Sequence, residues 1–122
     1  MSPIVEKIKK IEIDISTKRG GFNLFGLFLR KDAPGKWDLV ISAEWFGSDR
    51  KRDLDFIVGY LKQSLLPEEL IMISRIALIR PNHPFVQTVT SLIQSEHNIL
   101  EFVNCKFNDI SIEQAYIVTS RK

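Results

Sequence analysis

Phe22-Asn23-Leu24-Phe25-Gly26-Leu27-Phe28-Leu29-Arg30 is the stretch on which the fold turns. A strand with one wet face alternates apolar and polar residues, whereas this one is apolar on both. Gly26 in its middle permits a bulge or a close neighbour. Lys18-Arg19-Gly20-Gly21 breaks the chain before it. Lys31-Asp32-Ala33-Pro34-Gly35-Lys36 turns it afterwards, with Pro-Gly supplying the geometry. Trp37 to Phe46 then reads as a second strand, continuously apolar at Leu39-Val40-Ile41. The short connection makes the two an antiparallel pair, with 22–30 expected at an edge of the sheet.

Upstream, Ile4, Ile8, Ile11 and Ile15 recur at helical spacing. Ser2 before Pro3 is a start signal, a cap followed by proline in the first turn. Ile11, Ile13 and Ile15 also alternate with Glu12 and Asp14, which suits a strand, so the helix is expected to about residue 12 and the rest stays open. Downstream, Leu54, Ile57, Val58, Leu61 and Leu65 mark a helix over roughly 50–65, and Pro67-Glu68-Glu69 starts a short turn. Residues 71–80 read as a strand, and Pro81-Asn82-His83-Pro84 opens a helix carrying Phe85, Val86, Val89, Leu92 and Ile93. Two strands near 99–107 and 112–119 follow, with Asn108-Asp109 between them.

These elements predict one α/β (or α+β) domain spanning 1–122. It is a small mixed five-stranded sheet, in the order α-β-β-α-β-α-β-β, with helices packed on it. Helical connections predict that 37–46, 71–80 and 99–107 run parallel, flanked by the first and last strands as antiparallel edges. A chain of 122 residues, 44% apolar and 26% charged, is long enough for a real core. Disordered, collagen-like and disulfide-scaffold chains are excluded by that composition, and a membrane span by the lack of a long apolar run.

The formal net charge is only +2, with both signs spread along the chain. Nucleic-acid binding is therefore weakly supported. The basic run Arg50-Lys51-Arg52 sits among Asp49, Asp53 and Asp55, as on a solvated, charge-paired helix face. The single cysteine, Cys105, fits a reducing compartment and reads as a buried thiol. No signal-peptide pattern follows Met1, so the cytoplasm is the expected location.

Parallel strands would bring their C-terminal ends to one edge, where ligands of open α/β sheets bind. Glu44-Trp45-Phe46-Gly47-Ser48-Asp49 and Arg80-Pro81-Asn82-His83 are expected to meet there. Arg80, Asn82, Ser48, Asp49 and Trp45 are candidate ligand-binding residues, with His83 and Glu44 as candidate catalytic groups. In bland terms Asn82 is a helix cap, His83 a residue of the first turn, and Trp45 core or interface. Arg75 is expected to face solvent or pair with a carboxylate.

No motif implies a metal or cofactor. Asp38 and Glu44 lie about 20 Å apart on one strand and cannot chelate one ion. His83, His97 and Cys105 lack zinc-motif spacing, and no P-loop, nucleophile elbow or dinucleotide fingerprint is present. The element order is loosely similar to restriction-endonuclease cores, but Glu44 followed by Trp45 and Phe46 supplies no acid-x-lysine triplet. The leading expectation is an interaction or assembly module that self-associates, because an apolar edge at 22–30 would need covering. The alternatives are a small phosphate- or nucleic-acid-processing enzyme, resembling a metal-dependent nuclease, and a small-ligand-binding regulatory domain. Both would use the strand-end crevice.

Overall fold

The computed structural model describes residues 2–122, with Ser2 described in its backbone alone. The cap expected of the Ser2 side chain lies outside the described residues. The elements are α1 (Ser2–Arg19), β1 (Leu24–Arg30), β2 (Trp37–Ser42), α2 (Arg50–Ser64), α3 (Pro67–Met72), β3 (Ile73–Ile79), α4 (Pro84–Leu92), β4 (Leu100–Phe107) and β5 (Ile110–Ser120). Helices and strands combine in a five-stranded mixed sheet, as the sequence predicts, in the spatial order β3-β2-β1-β5-β4.

The helix α1 runs well past residue 12. Ile4, Ile8, Ile11 and Ile15 form one buried stripe, and the same spacing turns Glu12 inward while Ile13 stays on the outer side. A strand at 11–15 would have broken that stripe. Gly20 ends the helix with φ 125° and donates its N–H to the Ser16 carbonyl at 3.0 Å. The turn expected at Pro67 is a full short helix, α3, tied to α1 by Lys7–Glu69 at 2.7 Å. The Lys7 hydrogen bond holds the Glu69 carboxyl below the usual range.

Three expectations about the sheet are corrected. β1 is its central strand, paired antiparallel to β2 on one side and β5 on the other. Its double apolar face is the mark of a strand covered on both sides, not of an edge. β4 is not parallel to β2 and β3. Asn108 and Asp109 both take positive φ, 48° and 66°, and close a two-residue hairpin that pairs Phe107 with Ile110. That hairpin fixes β4 antiparallel beside β5, at the far edge from β3. Among the described residues only β2 and β3 are parallel neighbours, joined through α2 and α3, and the last strand, β5, expected at an edge, lies between β1 and β4.

The sheet separates two apolar layers. On one face, the stripe of α1 and Ile57, Leu61 and Leu65 of α2 and its C-cap pack on Phe25, Leu27, Leu39 and Ile41. On the other, Phe85, Val86 and Val89 of α4 pack on Leu24, Phe28, Val40 and Ile117. Phe28 meets Phe85 edge-on, with ring centres 5.3 Å apart.

At Gly26 the register between β1 and β5 shifts by a residue. A Cβ added there would lie 3.1 Å from both the Tyr116 carbonyl oxygen and the Phe28 ring. One contact is backbone and cannot swing aside. Gly26→Val is therefore expected to destabilise the fold by roughly 2 kcal/mol, the usual cost of overpacking, in urea unfolding monitored by tryptophan fluorescence. An unchanged midpoint would show that this strand is not held against β5 as described.

Candidate functional site

The C-terminal ends of β2 and β3 do adjoin, as parallel pairing requires. Glu44, Arg80 and Asn82 meet around a shallow hollow of about 290 Å³, with Ala43, Phe46 and Pro81. The other strand-end candidates go elsewhere. Trp45 packs edge-on against Phe22, Phe46 and Phe56, donates its indole N–H to the Gly20 carbonyl at 3.0 Å, and takes the Arg19 guanidinium over its ring. It anchors the end of α1 to the 43–49 turn. Asp49 caps α2 by accepting from the Arg52 N–H at 3.1 Å, and Ser48 is exposed beside it. Lys51 pairs with Asp55 one turn on, as the charge pattern predicts. His83, not Asn82, caps α4: its Nδ1 accepts from the Phe85 N–H at 3.1 Å. That leaves Nε2 as the free nitrogen of the ring.

His83 faces a different depression, on the sheet face that α4 covers only in part. This groove measures about 240 Å³. Its apolar lining includes Phe28, Val40, Ala77, Ile79, Phe85 and Ile112. Its polar lining is Arg30, Asp38, Arg75 and His83. The charges follow from strand register. Asp38 on β2 lies opposite Phe28 of β1 and Arg75 of β3. Arg75 Nη2 donates to Asp38 Oδ2 at 2.9 Å, and Arg30 Nε lies 3.3 Å from the same oxygen. Arg30 is thus close enough to pair, but its buried Nε–H is not aligned for a hydrogen bond. Asp38 is buried, while the Arg75 side chain is 57% exposed. One carboxylate therefore holds Arg75 and lies beside Arg30 at the mouth of an apolar groove, with the exposed Asp32 3.7 Å from Arg30 Nε, and most of the guanidinium N–H groups make no hydrogen bond within the protein. A small carboxylate or phosphate fits those donors, and an apolar body fits the floor.

This arrangement is not among the expectations from sequence. From sequence, Asp38 stands only as a metal ligand to be weighed with Glu44, and Arg75 has no named partner. A lone carboxylate inside an otherwise apolar strand, with arginines on the two flanking strands, was the available signal.

A second polar cluster also went unread. Glu12 is fully buried under α1. Its Oε2 accepts from Ser16 Oγ and Thr119 Oγ1, each at 3.0 Å, and its Oε1 lies 2.7 Å from His97 Nδ1. His97 takes a left-handed φ of 54° and donates its backbone N–H to Thr119 Oγ1 at 3.1 Å. Three partners satisfy a carboxylate that burial would otherwise penalise heavily. The cluster ties α1 to β5 and to the segment after α4. Among the described residues, no group of three or more His, Cys, Asp or Glu converges to hold a metal. Among the described residues, no helix is long and apolar enough to cross a membrane. Cys105 is half-buried on β4, and burial pushes its thiol pKa up, which makes it a poor nucleophile. Compared with family models, curated proteins and solved structures, the chain matches none.

His97→Ala removes one of three partners from a buried carboxylate. The expected result is a loss of roughly 1–3 kcal/mol in urea unfolding at neutral pH, the cost of leaving such a group under-satisfied. A loss below about 0.5 kcal/mol would mean that the contact is incidental, as most surface contacts are.

Proposed function

We propose that this domain is a binding module for a small organic anion with an apolar body, held in the groove between α4 and the exposed part of the sheet. The observation that carries this reading is the Arg30–Asp38–Arg75 arrangement at the mouth of that groove. An isolated arginine on a sheet surface is ordinary. Arg75 is oriented by a buried aspartate with Arg30 beside it, so less side-chain freedom is lost when an anion docks. Phe28, Val40 and Ile112 then take the apolar body from water.

The volume, about 240 Å³, lies below the usual range for drug-sized ligands, so the ligand is small. From Arg75 to Ile79 the floor extends four residues along β3, or about 13 Å at strand rise. That length suits a short acyl or aryl chain ending in a carboxylate. His83 stands among the lining residues as a second polar contact. The interaction is recognition, in keeping with the binding-domain alternative of the sequence reading. It uses a groove other than the strand-end hollow.

Octanoate titrated into isotopically labelled protein tests this directly. Chemical-shift changes are expected at Phe28, Val40, Arg75, Ala77 and Ile79, and octylamine should produce none. Arg75→Ala should weaken octanoate roughly tenfold or more, since hydrogen bonds to charged groups contribute about 1.5–3 kcal/mol. Shifts confined to Glu44, Arg80 and Asn82 would move the site to the strand-end hollow. Equal responses to the amine and the acid would overturn the anion reading.

A further inference from the structure

We infer that the outer edge of β4 is a self-association surface, on which a second copy of this chain adds its own β4 antiparallel to make a continuous ten-stranded sheet. This goes beyond the groove and does not depend on it.

The first observation is which edges are open. The sheet ends at β3 and β4, and β4 is hydrogen-bonded to β5 alone. Its eight residues therefore present an unpaired row of backbone donors and acceptors, with Val103 60% exposed among them. β3 is the poorer candidate. The Arg50 guanidinium occupies the Leu78 carbonyl, and the only charge on the strand is Arg75, so a second copy of β3 offers it no opposite charge.

The second observation is the side-chain pattern of β4. Leu100, Phe102, Cys105 and Phe107 all pack toward the α4 layer. Strict alternation cannot put both 102 and 105 on one face. Asn104, with a left-handed φ of 49°, reverses the alternation between them. In an antiparallel pair each residue must oppose one on the same face. Because of the reversal, only one self-pairing register satisfies this for all four residues. Leu100 then meets Phe107 of the second copy, and Phe102 meets its Cys105.

Charge supplies the third observation. That same register sets Glu101 opposite Lys106 of the second copy. Both side chains lie on the exposed face, and the two-fold axis repeats the pair. Within one chain both residues also have polar neighbours, Tyr116 among those of Glu101. Gln114 donates to Glu101 at 2.7 Å, and Lys106 lies 4.0 Å from Asp109. A foreign strand would have no reason to match both the reversal and the charges, whereas a second copy matches them by construction. The sequence reading expected self-association to cover an apolar edge at 22–30. That strand is central, and the edge that needs covering is β4.

Sedimentation velocity on the full chain, from about 5 to 200 µM, reads the result. The wild type is expected to shift from monomer to dimer across that range. Lys106→Glu sets glutamate against glutamate twice and should weaken the dimer tenfold or more, while Lys106→Glu with Glu101→Lys should restore it. Circular dichroism on each variant checks that the fold is intact. Phe102→Cys adds an independent readout. Under mild oxidation with glutathione disulfide it should link covalently to Cys105 of the second copy, while the wild type stays unlinked. Within one chain, positions 102 and 105 are too far apart along the strand to bridge. A wild type that is monomeric at every concentration overturns the proposal. So does a dimer that ignores the charge swap and yields no linked Phe102→Cys product.

Discussion

The molecule depends on one constraint, the burial of β1 on both faces. Phe25, Leu27 and Leu29 face the layer of α1 and α2, and Leu24 and Phe28 face the layer of α4. A strand that apolar is stable only with a neighbour on each side and a helix layer above and below. β2 meets the first need through a tight turn. β5 meets the second from the far end of the chain, so the last strand must return to the centre before the sheet closes. β4 and β3 take the edges as a consequence.

The two polar features of interest sit where this layering is incomplete. The nine residues of α4 are too few to cover their whole face of the sheet. Beyond the start of α4, residues that continue the apolar face give way to Arg30, Asp38 and Arg75, and the groove lies between the two regions. On the other side, α1 is long enough to reach past the sheet core. Its inward stripe meets the polar groups of Thr119 and His97, and Glu12 serves there in place of another isoleucine. Buried polar groups of this kind specify a particular docking of helix on sheet, because a helix rotated or shifted along its axis would strand the carboxylate.

Much of this was legible in the residues. Isoleucine spacing in α1, the Pro-Gly turn and the helical period of α2 each fix a local structure, whereas the start at Pro67 becomes a helix and 43–46 and 71–72 lie outside the strands expected there. Pairing between distant segments was not legible, because one apolar strand resembles another and no local rule says which will be neighbours. The 22–30 strand is central, as its two apolar faces require, although its short turn to 37–46 suits an edge equally well, and the two-residue Asn-Asp turn makes β4 antiparallel where helical connections alone suit a parallel strand. Helix extent failed at residues 11–15, where the helical and strand periods coincide. The crevice formed by β2 and β3 was foreseen because it follows from parallel pairing alone. The groove charges were not foreseen, since they come from three strands whose register only the folded sheet defines.

Residue-resolved amide hydrogen exchange on the native protein tests the central position of β1 most directly. Amides of residues 24–29 are expected to be among the slowest to exchange, opening only with global unfolding, while those of β3 and β4 exchange earlier. Fast exchange along 24–29, with protection concentrated in 73–79 or 100–107, would show that β1 is an edge after all and would contradict the account built on it.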